Sequence, residues 1–337
     1  MNRNMTKWVE DMIANPTKKA MPVLSFPAIS LMGITVKDLI SSADLQAKGM
    51  KMVADEVPSA ASVSLMDLSV EAECFGSTIQ VSDGEVPTVT GSIVSSEEDA
   101  DALQVPEVGS CRTGIYIDAI KKACEMITDR PVFAGIIGPF SLAGRLMDVT
   151  EAMIYCYEEP DMVETVMEKV TEFLINYAKA YKEVGADGIV MAEPLAGLLS
   201  PALAEEFSAP YVKKVVDAVQ DDNFIVVYHN CGNAVVRMAD SIVDTGAKVF
   251  HFGNSIKLAE ILPLIPSDRL VLGNVDPAGE LRNGTPESIK AATKKVMSEC
   301  CEYKNFGIST GCDVPPMSSW DNIHAFFEAV EEFYSEK

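Results

Sequence analysis

Apolar strand-like runs alternate with amphipathic helical segments along nearly the whole chain, and this rhythm constrains the fold more than any single residue. Eight runs read as strands: PVLSF (22–26), SVSLM (62–66), VFAGIIG (132–138), GIVMAE (188–193), FIVVYHN (224–230), KVFHFG (248–253), LVLGNV (270–275) and FGIST (306–310). From the third onward, helical segments separate them, as at 161–184, 201–220, 235–245 and 286–302, and an amphipathic helix over 319–335 follows the last. The runs are apolar throughout rather than at every second position. Such strands are buried on both faces, which points to a parallel sheet covered by helices. Eight strand–helix units in 337 residues suggest a (β/α)8 TIM barrel, with 48% hydrophobic residues to fill its core.

One stretch breaks the rhythm. CFGSTIQVSDGEVPTVTGSIVSS alternates Thr and Val around Asp83-Gly84, a hairpin signal, and an acidic, Pro-containing loop follows it. Residues 74–112 therefore read as an insertion after strand two. No fixed-period repeat and no Pro/Gly/Ser linker divides the chain, so residues 1–337 are expected to form a single domain.

Composition narrows the partners. A formal net charge of −23, from 27 basic and 50 acidic residues, argues against a nucleic-acid partner, because phosphate backbones are bound by Lys and Arg that displace counterions. The stretch MNRNMTKWVEDMIANPTKKA carries acids where a secretion signal would be apolar, and no apolar run approaches membrane length. A cytoplasmic protein with no membrane partner is the expectation. Eight Cys at irregular spacings then read as reduced thiols, not a disulfide framework.

Active sites of a (β/α)8 barrel sit at the C-terminal ends of its strands, and the polar residues of this chain gather there. His229 and Cys231 finish strand five, and Cys312 follows strand eight. Alternate residues of a strand share a face, so His229 and Cys231 can address one metal. Imidazole nitrogen and thiolate sulfur are donors that Zn²⁺ favours, and three protein ligands leave a fourth position open, as in catalytic zinc sites. Gly232 and Gly311, beside the ligands, let backbone approach closely. The bland alternative is a satisfied core histidine with two inert buried thiols.

Other residues fall at the same ends. Glu193 finishes strand four and could be a fourth ligand, a base supporting a ligand, or a loop acid before Pro194. Asp67 ends strand two, His251 ends strand six, Asn254 follows it, and Asn274 and Asp276 follow strand seven. All are candidates to line a pocket, although Asp276, before Pro277, could simply shape a turn. His324 lies on the 319–335 helix and reads as structural, and the adjacent Cys300 and Cys301 point in different directions on a helix end. No Gly-rich phosphate cradle and no G-x-S-x-G nucleophile elbow is present.

The chain resembles the uroporphyrinogen decarboxylase superfamily, and within it the methylcobamide:coenzyme M methyltransferases. The resemblance rests on GPFSLAGRL (138–146), ADGIVMAEP (186–194), HNCGN (229–233), GNVDP (273–277) followed by GTPESI (284–289), and STGCDVPPMSSWDNI (309–323). The H-x-C-G pair with the later G-C is similar to the zinc site of the methyltransferase branch. The decarboxylases share an Arg-rich M-R-Q-A-G-R run, whereas PVLSFPAISLMGITVK has no Arg, and the chain holds only seven. That is a poor supply for a substrate bearing many carboxylates. Asp67, in M-D-L-S, matches the decarboxylase catalytic Asp only in part.

This resemblance implies Zn²⁺ held by His229, Cys231 and Cys312, with Glu193 in the vacant position at rest or managing the thiol proton. It implies a small thiol acceptor whose sulfur attacks a methyl group on cobalt(III) of a methylcobamide. The chain has no D-x-H-x-x-G cobalamin motif, so a separate methylated corrinoid protein would bring the methyl group to the barrel mouth. Arg145 and Asn233 are candidates to bind a sulfonate on the acceptor. The alternatives are a uroporphyrinogen decarboxylase and a non-catalytic scaffold that binds zinc and corrinoid proteins.

Overall fold

The computed structural model describes residues 3–335. Seven strands hydrogen-bond into one curled sheet: β1 (Ser62–Val63), β4 (Val132–Ile137), β5 (Gly188–Ala192), β6 (Ile225–Asn230), β7 (Val249–Phe252), β8 (Leu270–Val275) and β9 (Phe306–Thr310), adjacent in that order. Every ladder in it is parallel, as the unbroken apolar runs require. The other two strands, β2 (Thr78–Gln80) and β3 (Thr88–Thr90), form a separate antiparallel pair.

The two faces of the sheet feed two cores. Val63, Phe133, Val190, Ala192, Ile225, Val227, Val249, Leu270 and Leu272 meet one another on the inner face. Their strand neighbours Ala134, Ile189, Met191, Val226, Phe250 and Val271 turn outward to the helices. The period of two along each strand makes this division. It also decides which strand-end residues can reach the centre.

The expected first strand at 22–26 is not one. Ala20 instead makes a single parallel bridge to Ile308, Met21 N–H donates to Ile308 O at 2.9 Å, and Ala60 N–H donates to Ala20 O at 2.8 Å. The segment thus lies between β9 and the residues entering β1, at the two edges of the sheet. Pro22 has no N–H to continue a ladder, and Val23 N–H turns to the Thr310 hydroxyl at 3.2 Å. The second run also forms less strand than expected, two residues of the five.

The helices follow their apolar spacing. Pro160–Glu183 buries Met162, Val163, Val166, Met167, Val170, Phe173, Leu174, Tyr177 and Tyr181 on one stripe. The expected helix at 201–220 is broken at Ser208 into Pro201–Phe207 and Ala209–Val219, because Pro210 lacks the N–H that a continuous helix would use. Residues 235–245 likewise form a tight turn, Val235–Met238, and a short helix, Ala239–Asp244. Pro286–Cys300 and Trp320–Ser335 match their expected spans closely.

Within 74–112 the β2–β3 pair puts Asp83 and Gly84 in the connecting loop. Val36 N–H donates to Asp83 O at 2.8 Å, and Glu85 pairs with Arg282 at 2.9 Å. No helix among the described residues is long and apolar enough to cross a membrane.

Candidate metal centre

On β6 the inward positions are Ile225, Val227 and then His229, which stands in register with Ala192 on β5 and His251 on β7. Cys231 lies one residue beyond the strand and Cys312 two residues beyond β9. A Cβ on Gly232 would stand 2.3 Å from Gly197 Cα, and one on Gly311 2.6 Å from Asn254 Oδ1. Only glycine therefore permits these strand ends to approach so closely.

One nitrogen of His229 and the sulfurs of Cys231 and Cys312 all lie within 4.8 Å of one another. His229 is buried, and its Nε2 has no hydrogen-bond partner. Buried polar atoms are normally paired, so an orphan of this kind calls for a ligand. Its Nδ1 lies 3.2 Å from His251 O and 2.7 Å from His251 Nδ1. The thiols influence each other: contact with Cys312, and with His229, pulls the Cys231 thiol well down from its ordinary range. The same contact, together with burial, pushes Cys312 up. Two sulfurs and a bare imidazole nitrogen fit Zn²⁺ as a three-ligand set.

Beside these donors is a chamber of about 70 Å³ whose walls are Val23, Met66, Leu68, Val190, Ala192 and Pro194. All six are apolar. Its one carboxyl is Asp313, which sequence reasoning passed over although it directly follows Cys312. Asp313 Oδ1 is buried without a partner, and burial pushes the carboxyl well above the usual range.

Most of the other expected site residues are placed elsewhere. Glu193 is fully buried, but Ala192 takes the inward position and Glu193 turns to the helices. Its carboxylate accepts from Ser141 N–H and from the Ser208 hydroxyl, both at 2.8 Å, which ties it to the start of the helix Pro139–Met147. Burial raises it to about 7. It is not part of the donor cluster. Asp67 is turned away in the same manner: Met66 and Leu68 line the chamber, whereas Asp67 accepts from Arg112, from Tyr116 O–H at 2.7 Å and from Ser69 N–H at 3.1 Å.

Asn274 donates to Gly253 O at 2.9 Å and Ile256 O at 3.0 Å and so pins the loop after β7. Asp276 accepts from Ala278 and Gly279 N–H, both at 2.9 Å, the turn-shaping role. Asn233 and Asn254 are exposed in the loops after β6 and β7, and neither lines the chamber. Arg145, on the helix Pro139–Met147, has a buried Nε without a partner, and it too is outside the chamber lining. His251 stands beside His229 on the neighbouring strand and is outside the chamber lining, and burial holds its imidazole well below the ordinary range. His324 pairs with Glu56 at 2.9 Å, outside the site.

The sequence profile of the family described as Uroporphyrinogen decarboxylase (URO-D) matches residues 7–333. The chain belongs to the uroporphyrinogen decarboxylase family. It is similar to Methylcobamide:CoM methyltransferase MtbA of Methanosarcina mazei, 32% identical over 274 residues that cover 79% of this chain and 78% of the relative. It is also similar to Uroporphyrinogen decarboxylase of Chlorobaculum parvum, 30% identical over 263 residues, 75% of this chain and 71% of the relative. Among solved structures, a methyltransferase from Methanosarcina mazei superposes with a TM-score of 0.86 at 25% identity, covering 99% of this chain and 98% of that one.

Proposed function

We propose that this chain is a zinc-dependent methyltransferase that moves a methyl group from a methylated corrinoid protein to a small thiol such as coenzyme M. The observation that carries the reading is the convergence of a His229 ring nitrogen, Cys231 and Cys312 beside an apolar chamber, in a chain similar to named methylcobamide:CoM methyltransferases. We read the curled sheet as a single-domain (β/α)8 barrel in which residues 20–23 stand in for the eighth strand. In the same reading, 74–112 is an insertion.

In the proposed mechanism His229, Cys231 and Cys312 hold the zinc, which when bound supplies the Lewis acidity that keeps an acceptor thiol ionised at neutral pH. The apolar walls exclude water, so a thiolate entering the chamber is poorly solvated and more reactive. The acceptor sulfur forms the new bond to carbon as the carbon–cobalt bond breaks. Both electrons of that bond stay on cobalt, and the thiol proton leaves to solvent. Cys231 and Cys312 add negative charge behind the acceptor, which favours alkyl transfer over hydrolytic chemistry. No cation lines the chamber, so a sulfonate on the acceptor would be bound outside these walls.

The test combines metal analysis with demethylation of methylcobalamin by a panel of thiols. Bound zinc and thiol-dependent demethylation are expected. Zinc with no methyl transfer to any thiol would favour the scaffold, and carbon dioxide released from uroporphyrinogen would revive the decarboxylase.

A further inference from the structure

His229 is the fourth member of a hydrogen-bonded series that begins at the main-chain carbonyl of Met21, beside β9. Ser309 Oγ lies 2.7 Å from Met21 O, His251 Nε2 lies 2.8 Å from Ser309 Oγ, and His251 Nδ1 lies 2.7 Å from His229 Nδ1. All three side chains are buried. The direction of each bond follows from donor and acceptor chemistry once the buried imidazoles are neutral. Met21 O can only accept, so the single hydroxyl proton of Ser309 goes to it. Ser309 Oγ must then accept from His251 Nε2–H. A neutral His251 has no second proton, so its Nδ1 accepts from His229 Nδ1–H. A further acceptor, His251 O at 3.2 Å, faces the same His229 nitrogen and again requires a proton there. With Nδ1 protonated, a neutral His229 has a bare Nε2, which is the buried nitrogen without a partner.

We propose that Ser309 and His251 form a relay, anchored on the Met21 carbonyl, that fixes His229 in the tautomer whose Nε2 lone pair faces Cys231 and Cys312. His251 and Ser309 are positioning residues. They hold one ligand's ring orientation and tautomer before any metal arrives. The segment that replaces the expected first strand gains a role as well: Met21 carries the anchor, held in place by its own N–H bond to Ile308 O at 2.9 Å. The consequence for metal binding rests on the zinc reading above, whereas the tautomer itself does not.

The experiment is long-range ¹⁵N–¹H correlation on the metal-free protein with ¹⁵N-histidine, followed by zinc affinity from competition with a chromophoric chelator. In the metal-free protein, His229 should show a protonated Nδ1 and a bare Nε2, with His251 showing the reverse. A His229 protonated at Nε2 overturns the relay, and no variant has to fold for that result. His251→Phe, which removes the side-chain acceptor but leaves the His251 carbonyl, should weaken zinc binding about 10- to 100-fold. His251→Asn, whose amide oxygen can replace the accepting Nδ1, should recover most of the loss. Ser309→Ala should leave His251 a mixture of tautomers and weaken zinc less than His251→Phe. Folded His251→Phe that binds zinc as tightly as the parent overturns the proposal. A parent that binds no zinc while keeping the expected tautomers would instead sink the zinc reading and leave the relay standing.

Discussion

Buried polar residues gather at the strand ends in two regions that differ in one respect. Behind the sheet, Glu193 and Asp67 have both carboxylate oxygens engaged by Ser141, Ser208, Arg112, Tyr116 and Ser69. On the inner face, His229 Nε2 and Asp313 Oδ1 have no partner, and two thiols face each other. A satisfied buried network stabilises a fold, whereas converging unsatisfied donors mark a place where something binds. Position at a strand end is common to both regions. Which face the side chain takes is what separates them.

Substitutions can break that comparison, and the largest effect belongs to the inner region. Cys231→Ala and Cys312→Ala should lose zinc and drop methyl transfer by more than the ~100-fold expected of an outer-shell partner, with thermal stability of the metal-free protein little changed. Metal analysis and a demethylation assay check this. The outer region should respond in the opposite sense. Asp67→Ala leaves the Arg112 guanidinium, itself nearly buried, with Glu73 as its remaining carboxylate beside the Ser69 hydroxyl, and should cost about 3–5 kcal/mol in denaturant unfolding. Activity per folded molecule should stay within a few-fold, and a severe loss in kcat without loss of stability would return Asp67 to the chemistry.

Glu193 gives a smaller effect with a pH signature. Its folded-state carboxyl is raised to about 7 from an ordinary 4.5, so the folded chain holds the proton more tightly than the unfolded one. Its contribution is fully present below about pH 4.5 and is lost as pH rises toward 7. Glu193→Gln keeps an acceptor for Ser141 N–H and a donor for Ser208, so it should flatten that fall and stabilise the protein by about 1–3 kcal/mol at pH 8. Urea unfolding across this range measures it, and unchanged pH dependence would contradict the assignment. The smallest effect is expected at Asn274. Its replacement by Ala strips Gly253 O and Ile256 O of their donor and should cost ~1–2 kcal/mol, with zinc content unchanged.

Much of this was legible in the sequence because strand and helix periods are written in apolar spacing. The parallel sheet, the long helix at Pro160–Glu183 and the donors His229, Cys231 and Cys312 all follow from it. The missing first strand was less legible, since PVLSF is apolar and only Pro22, lacking an N–H, betrays that its ladder fails. Glu193 and Asp67 misled for a reason of parity. Glu193 follows chamber-lining Ala192, and Asp67 lies between chamber-lining Met66 and Leu68, so each needed the register to be known to one residue. Asp313 was hidden by the ligand beside it. The His251–Ser309 connection pairs residues from β7 and β9, two strands apart in the sheet, and no local pattern announces such a contact.

The central claim is that His229, Cys231 and Cys312 form one metal site. Its most direct measurement is the absorption spectrum of the protein titrated with Co²⁺ as a zinc surrogate. Two thiolate ligands should give sulfur-to-cobalt charge-transfer bands that saturate at one metal per chain, are lost in either Cys→Ala variant together with the metal, and vanish on adding Zn²⁺. Absence of thiolate bands in the parent protein, or bands untouched by both substitutions, would contradict the account.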